Sequence, residues 1–146
     1  YSGFDETEHT TFLSELDEVE KVEKYIKEKF GGKIFAAYGC SLGGSFVSLL
    51  VSRKNIHIDH AIIGSSDMDQ AKPVLPDLYT KVGEKIQTPG TTIHVFYAKK
   101  MGEKYLERYH KYFADPDICE YDLQHEELLL DADRWTKEVC RVCQIH

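Results

Sequence analysis

The chain has 146 residues, of which 42% are hydrophobic and 12% aromatic, which is enough for one domain, residues 1–146, with its own core. Its formal net charge is −7, with 25 acidic against 18 basic residues, which argues against nucleic acid as a partner because phosphate binding needs a concentrated basic surface. The sequence contains neither a pattern resembling a signal peptide nor an apolar stretch long enough to span a membrane, so we expect a cytoplasmic protein without membrane contact.

The first predicted element is a helix over residues 14–30. Its apolar residues recur with a 3.6-residue period, Ser14 can cap its start, and a pair of glycines follows its end. Glu23 and Lys27 lie four residues apart, so we expect them to pair on the solvent-exposed face of this helix.

A sharp turn between a strand and a helix is predicted next. An apolar run at 33–38 reads as a strand and the run at 45–53 as a helix, and between them lies the sequence Gly39-Cys40-Ser41-Leu42-Gly43-Gly44. A G-x-S-x-G motif in this setting is typical of a nucleophile elbow, in which a strained backbone pushes the serine hydroxyl out of the sheet. Small residues are needed two positions before and after the serine, and both are glycine here. A glycine-rich turn without catalytic work is the alternative.

Strands and helices continue to alternate after the elbow. Strands are predicted at 60–64, 92–98 and 118–123, with helices after the last two of them. We expect residues 65–90 to form a crossover helix with a short, lid-like entry loop. This order predicts an α/β fold with a parallel sheet of about four strands and helices on both faces.

The elbow and the order of elements resemble the α/β-hydrolase superfamily over nearly the whole chain. The resemblance implies that Ser41 is a nucleophile for an ester, thioester or amide carbonyl and that His125, which follows the last predicted strand, is the general base. It also implies that the backbone N–H of Leu42 is one donor of the oxyanion hole.

The acid that orients the histidine has three candidates. The resemblance implies a carboxylate soon after the strand at 92–98, where Glu103 is the nearest, although it can equally be a first-turn residue of the next helix. Asp67 and Asp69 follow the strand at 60–64, a position that some family members use. We rank Glu103 first, then Asp67.

The remaining histidines and the cysteines receive structural interpretations. His60 and His94 are expected to be surface or packing residues, and His125 itself could simply pair with Glu126 and the glutamate after it. The spacing of Cys140-Arg141-Val142-Cys143 has no second pair to complete a zinc site, and Cys40 is expected to point away from the reacting face. We therefore predict no metal and no cofactor.

The resemblance also implies that strands are missing, because family members have three or four strands before the elbow and this chain has about one helix there. The sequence accordingly resembles the C-terminal half of a hydrolase. The strand at 33–38 should then be an apolar sheet edge that pairs with a second copy or with an N-terminal half present as a separate chain. Two functions remain open, namely a serine hydrolase for a small acyl substrate and a non-catalytic α/β binding module or inactive fragment.

Overall fold

A computed structural model describes residues 15–66 and 89–145 of the chain. Its helices are α1 (Glu15–Phe30), α2 (Leu42–Val51), α3 (Glu103–Tyr112), α4 (Glu127–Leu130) and α5 (Ala132–Val142), with a 3₁₀ turn at Lys99–Met101. Its strands are β1 (Lys33–Cys40), β2 (His57–Gly64), β3 (Thr92–Ala98) and β4 (Asp117–Tyr121). Within these ranges no helix is long and apolar enough to cross a membrane.

The strands form one parallel sheet in the order β1-β2-β3-β4. Because every neighbouring pair is parallel, the carboxyl ends of all the strands lie at one edge of the sheet. Among the described strands, β1 lies at one side of the sheet. This arrangement confirms the predicted α/β fold with a parallel four-stranded sheet.

Each face of the sheet carries its own hydrophobic cluster. On one face, α1, α2 and α3 pack on the sheet around residues such as Val19, Phe46 and Tyr109. On the other face, α4 and α5 contribute Leu128 and Val142. Helices therefore cover both faces, as the alternating pattern predicts, and we refer to these as the α2 face and the α5 face.

Several boundaries differ from the predicted ones by a few residues. β2 begins at His57 rather than His60, because polar residues in its first half hide the strand from a hydrophobic pattern. β1 continues to Cys40, so part of the predicted turn is still strand. The predicted crossover helix and entry loop lie largely in 67–88, outside the described residues.

The expected exposure of Glu23 is wrong. This side chain is only 6% exposed, and its carboxylate accepts hydrogen bonds from Arg53 (2.5 Å) and Asn55 (3.0 Å), which follow α2. Along α1, Lys21 pairs with Asp17 and Glu18, and Lys24 pairs with Glu28. The charge at Glu23 thus joins two helices rather than facing water.

Candidate active site

Ser41 occupies the single-residue turn between β1 and α2. Its backbone has φ 55° and ψ −122°, a region that residues with a side chain rarely adopt. The Ser41 N–H donates to the carbonyl of Gly64 (2.8 Å), and the Gly44 N–H donates to the carbonyl of Ser41 (3.1 Å). The turn is therefore tied both to β2 and to the first turn of α2, which holds the strained conformation in place.

Two glycines make this turn sterically possible. A Cβ atom on Gly39 would lie 2.1 Å from the carbonyl oxygen of Gly43, so the backbone before the serine touches the backbone after it. A Cβ atom on Gly44 would lie 2.8 Å from the Cβ of Ser66 and 2.9 Å from Cγ2 of Ile63, so Gly44 lets α2 approach β2 closely. The first contact is the one that the motif predicts, whereas the second depends on helix packing that the motif does not describe.

His125 lies on the loop that follows β4, at the same carboxyl edge as Ser41. Its side chain lines a small cavity together with Cys40 and Ser65, and the Lys100 N–H holds the loop by donating to the carbonyl of Leu123 (3.2 Å). Cys40 directly precedes Ser41, but Ser41 itself does not line this cavity. Among residues 15–66 and 89–145, however, no hydrogen bond joins the Ser41 hydroxyl to the His125 ring.

The structure does not bring Glu103 into contact with His125. Glu103 is exposed in the first turn of α3, and no ion pair or hydrogen bond joins it to the histidine within the described ranges. Asp67 and Asp69 lie outside the described residues. The carboxylate that does approach the ring is Glu126, whose Oε1 lies 3.6 Å from His125 Nδ1.

The fold can be compared with known proteins at this point. The structure is similar to a crystal structure assigned to the alpha/beta hydrolase family, from Desulfitobacterium hafniense, with a TM-score of 0.64 and 14% sequence identity. The similarity covers 96% of this chain and 80% of that chain. The chain has an α/β-hydrolase fold. No family model matches the sequence, and comparison with curated proteins finds no match.

Two side chains that the sequence interpretation did not place at the site line the same cavity of this hydrolase fold. Cys40, which was expected to point away from the reacting face, lines the same cavity as His125. Burial is the main cause that raises the pKa of the Cys40 thiol, so the group stays protonated and is a poor nucleophile at neutral pH. Ser65 is 7% exposed and has φ 47°. Its position directly after β2 is the signal that could have indicated it.

All four cysteines are free thiols in the structure. Within the described ranges, no group of three or more histidine, cysteine or acidic residues is arranged to hold a metal ion.

Proposed function

We propose that this chain is a serine hydrolase that acts on a small ester, thioester or related acyl substrate, with Ser41 as nucleophile and His125 as general base. The observation that carries this proposal is the backbone of Ser41, a non-glycine residue at φ 55° in a one-residue turn between a strand and a helix. Strain of this kind is stored where the surrounding structure enforces it, and it presents a side chain away from the sheet. The hydrolase fold supplies the setting.

The proposed reaction follows from the groups at this edge. The Ser41 hydroxyl attacks the acyl carbonyl while His125 takes its proton, and a tetrahedral oxyanion forms. The N–H of Leu42 belongs to the first turn of α2, where N–H groups have no partner inside the helix, so it is available to donate to that oxyanion. His125 then returns the proton to the leaving group, and water hydrolyses the acyl-serine in the same manner.

An orienting carboxylate completes the proposal. Glu103 and Asp67 remain the acids that the resemblance implies, with Asp69 as a third, and Glu126 is supported by its 3.6 Å approach to Nδ1 of His125. A carboxylate at Nδ1 would fix the tautomer whose Nε2 can accept the serine proton. We also expect a cytoplasmic setting, which the four free thiols support.

The second candidate is a non-catalytic module with a hydrolase fold. It is favoured by the missing hydrogen bond between Ser41 and His125 and by the contact of His125 with Glu126. Catalytic hydrogen bonds are often long without substrate, so the same geometry is compatible with a hydrolase.

A fluorophosphonate probe, which reacts with activated serine hydroxyls, tests the proposal. We expect wild type to be labelled and Ser41→Ala not to be labelled, because the nucleophile is gone. His125→Gln should slow labelling by at least about 100-fold, the lower range for loss of a general base. Ser52→Ala, which removes an exposed serine at the other end of α2, is the control and should react like wild type.

Labelling that persists in Ser41→Ala would contradict the proposal. A folded wild type that is not labelled, with circular dichroism that matches Ser41→Ala, would favour the non-catalytic module.

A further inference from the structure

Three ionisable side chains form a continuous hydrogen-bonded chain across β2, β3 and β4, on the α5 face of the sheet. His94 is at its centre, with Nδ1 2.7 Å from Asp117 Oδ2 and Nε2 3.0 Å from Nδ1 of His60. The two imidazole planes are only 21° apart. Neither histidine takes part in the proposed hydrolase chemistry.

These three hydrogen-bonded side chains lie away from the carboxyl edge of the sheet. Asp117 is the first residue of β4, His94 is close to the start of β3, and His60 lies midway along β2. His94 is only 3% exposed, while the side chain of Asp117 is 51% exposed. His60 is half-buried, and the ring of Phe35 packs edge-on against it with centroids 5.0 Å apart. The buried His94 therefore connects two groups that water can reach.

The hydrogen-bonding capacity of each group decides which atom donates and which accepts in the row from Asp117 to His60. A carboxylate only accepts, so His94 Nδ1 must carry the proton that it donates to Asp117. Nε2 of a neutral His94 is then a lone pair, and His60 Nδ1 must donate to it. The remaining nitrogen, His60 Nε2, is left as the basic end. One added proton fits on His60 Nε2. A second would protonate Nε2 of His94, whose N–H would then face the N–H of His60 Nδ1 across 3.0 Å.

We propose that Asp117, His94 and His60 form a directional proton relay, a pH-sensitive device in which His60 Nε2 is the site of proton uptake and the fold loses stability at acidic pH because the unfolded chain takes up that proton more readily. Among the described residues, Asp59 of β2 acts on His60 and is itself paired with His57 of β2 and Lys33 of β1. At the other end, Cys119 of β4 contacts Asp117 and is contacted by Arg141 of α5. Asp59 favours the proton on His60, whereas burial opposes it.

The pKa of His60 lies below its usual value of 6.5, with burial as the largest cause and His94 as the next, while Asp59 acts in the opposite direction. Above pH 6.5 His60 is neutral in both the folded and the unfolded state, so its contribution to the free energy of unfolding does not change with pH. As the pH falls from 6.5 towards the lower folded pKa, the unfolded state binds the proton first, and stability decreases. One such proton changes the unfolding equilibrium constant by up to about tenfold per pH unit within that window.

The direction of the relay can be read from nitrogen-15 NMR of the imidazole rings at pH 8. We expect the proton on Nδ1 in both His60 and His94, with Nε2 of His60 unprotonated. In the same experiment, the titration midpoint of His60 should lie below 6.5. A proton on Nε2 of His60 at pH 8, or a midpoint at or above 6.5, would overturn the proposal without any variant.

Urea unfolding between pH 8 and pH 5 tests the effect on stability. His60→Gln removes the titrating group, so the fall in unfolding midpoint between pH 6.5 and pH 5 should be smaller than in wild type. His110→Gln removes an exposed histidine on α3 and should show the same fall as wild type. Equal falls in wild type and His60→Gln would overturn the proposal, and the NMR readout applies if His60→Gln does not fold.

Discussion

Glu23 faces inwards from α1, and its carboxylate receives hydrogen bonds from Arg53 and Asn55 at the end of α2. The bond from Arg53 is the largest cause that lowers the pKa of Glu23 below its usual 4.5, followed by the bond from Asn55. Burial acts in the opposite direction but is outweighed. The ionised form is therefore the one that holds the two helices together.

We expect Glu23→Gln to lower the free energy of unfolding by about 2 kcal/mol, the range for a hydrogen bond to a charged group. The depressed pKa adds a pH dependence: the stabilisation is complete above pH 4.5 and is lost as the pH falls through the lower folded pKa. Urea unfolding at pH 7 and pH 3.5 measures both effects. The matched control is Glu28→Gln, whose exposed pair with Lys24 is worth at most about 1 kcal/mol. Equal losses in the two variants would contradict this account.

Local sequence patterns cannot predict the hydrogen-bond partners of buried polar side chains such as Glu23, because these partners are far away along the chain. Arg53 lies 30 residues from Glu23, and His94 lies 34 residues from His60. The spacing of Glu23 and Lys27 indicates a local pair, but the folded chain offers a better partner. In contrast, Ser41 is indicated by its immediate neighbours, since the glycines and the change from strand to helix are all local.

At the scale of elements, the junction of β1 with α2 depends on backbone contacts that only glycine allows. A Cβ atom on Gly39 would meet the backbone of Gly43 at 2.1 Å, where nothing can move without opening the turn. A Cβ atom on Gly64 would meet the hydroxyl of Tyr38 at 2.6 Å, and that hydroxyl is the end of a side chain that can shift. Both glycines leave too little room for a Cβ atom, but the obstacle is fixed backbone at Gly39 and a movable side chain at Gly64.

Gly39→Ala should therefore destabilise the protein by about 3 kcal/mol, and Gly64→Ala by about 1 kcal/mol, the two ends of the usual range for overpacking. Fluorophosphonate labelling should also be lost in folded Gly39→Ala, because the elbow is displaced. Chemical denaturation and labelling of both variants give the comparison. Labelling of Gly39→Ala at the wild-type rate would show that the turn does not need this glycine.

The elements themselves were largely predictable, whereas the acid was not. β3 matches the predicted strand at both ends, because all its residues except Thr92 and His94 are apolar. The ends of parallel strands meet at one edge, so Ser41 and His125 could be expected there from the order of elements alone. A carboxylate can orient the histidine only if its side chain points towards the ring. The sequence places Glu103 soon after β3 but does not show that its side chain faces solvent on α3.

At the scale of the whole molecule, none of the described strands pairs with the outer side of β1. A groove of about 770 Å³ runs beside it, lined mainly by apolar residues of α1, β1 and α2. Three aromatic residues in it are about half exposed, namely Tyr25, Phe30 and Phe35. Beyond Lys33 at its start, β1 carries no charge and no proline, so most of its length lacks the residues that usually protect an edge strand.

We expect a second copy of the chain to pair with this edge. If two β1 strands pair antiparallel about a twofold axis, the sheets join and the two α1 helices lie side by side on the same face. Acidic residues dominate the first half of α1, while Lys27 and Lys29 lie in its last turn. An antiparallel pair of these helices therefore brings opposite charges together, which a parallel pair would not.

We expect a dimer at micromolar concentration that dissociates on dilution, measured by analytical ultracentrifugation. Phe35→Lys places a charge on the open edge and should yield a monomer, because an inserted lysine must be desolvated for the strands to pair. Leu130→Lys is the control: Leu130 is 79% exposed at the end of α4, on the opposite face of the sheet, and its replacement should leave the dimer intact. A wild type that stays monomeric across the concentration range would contradict the pairing. A dimer that Phe35→Lys does not weaken would place the interface on another surface, so the charge pattern of α1 would have a different explanation.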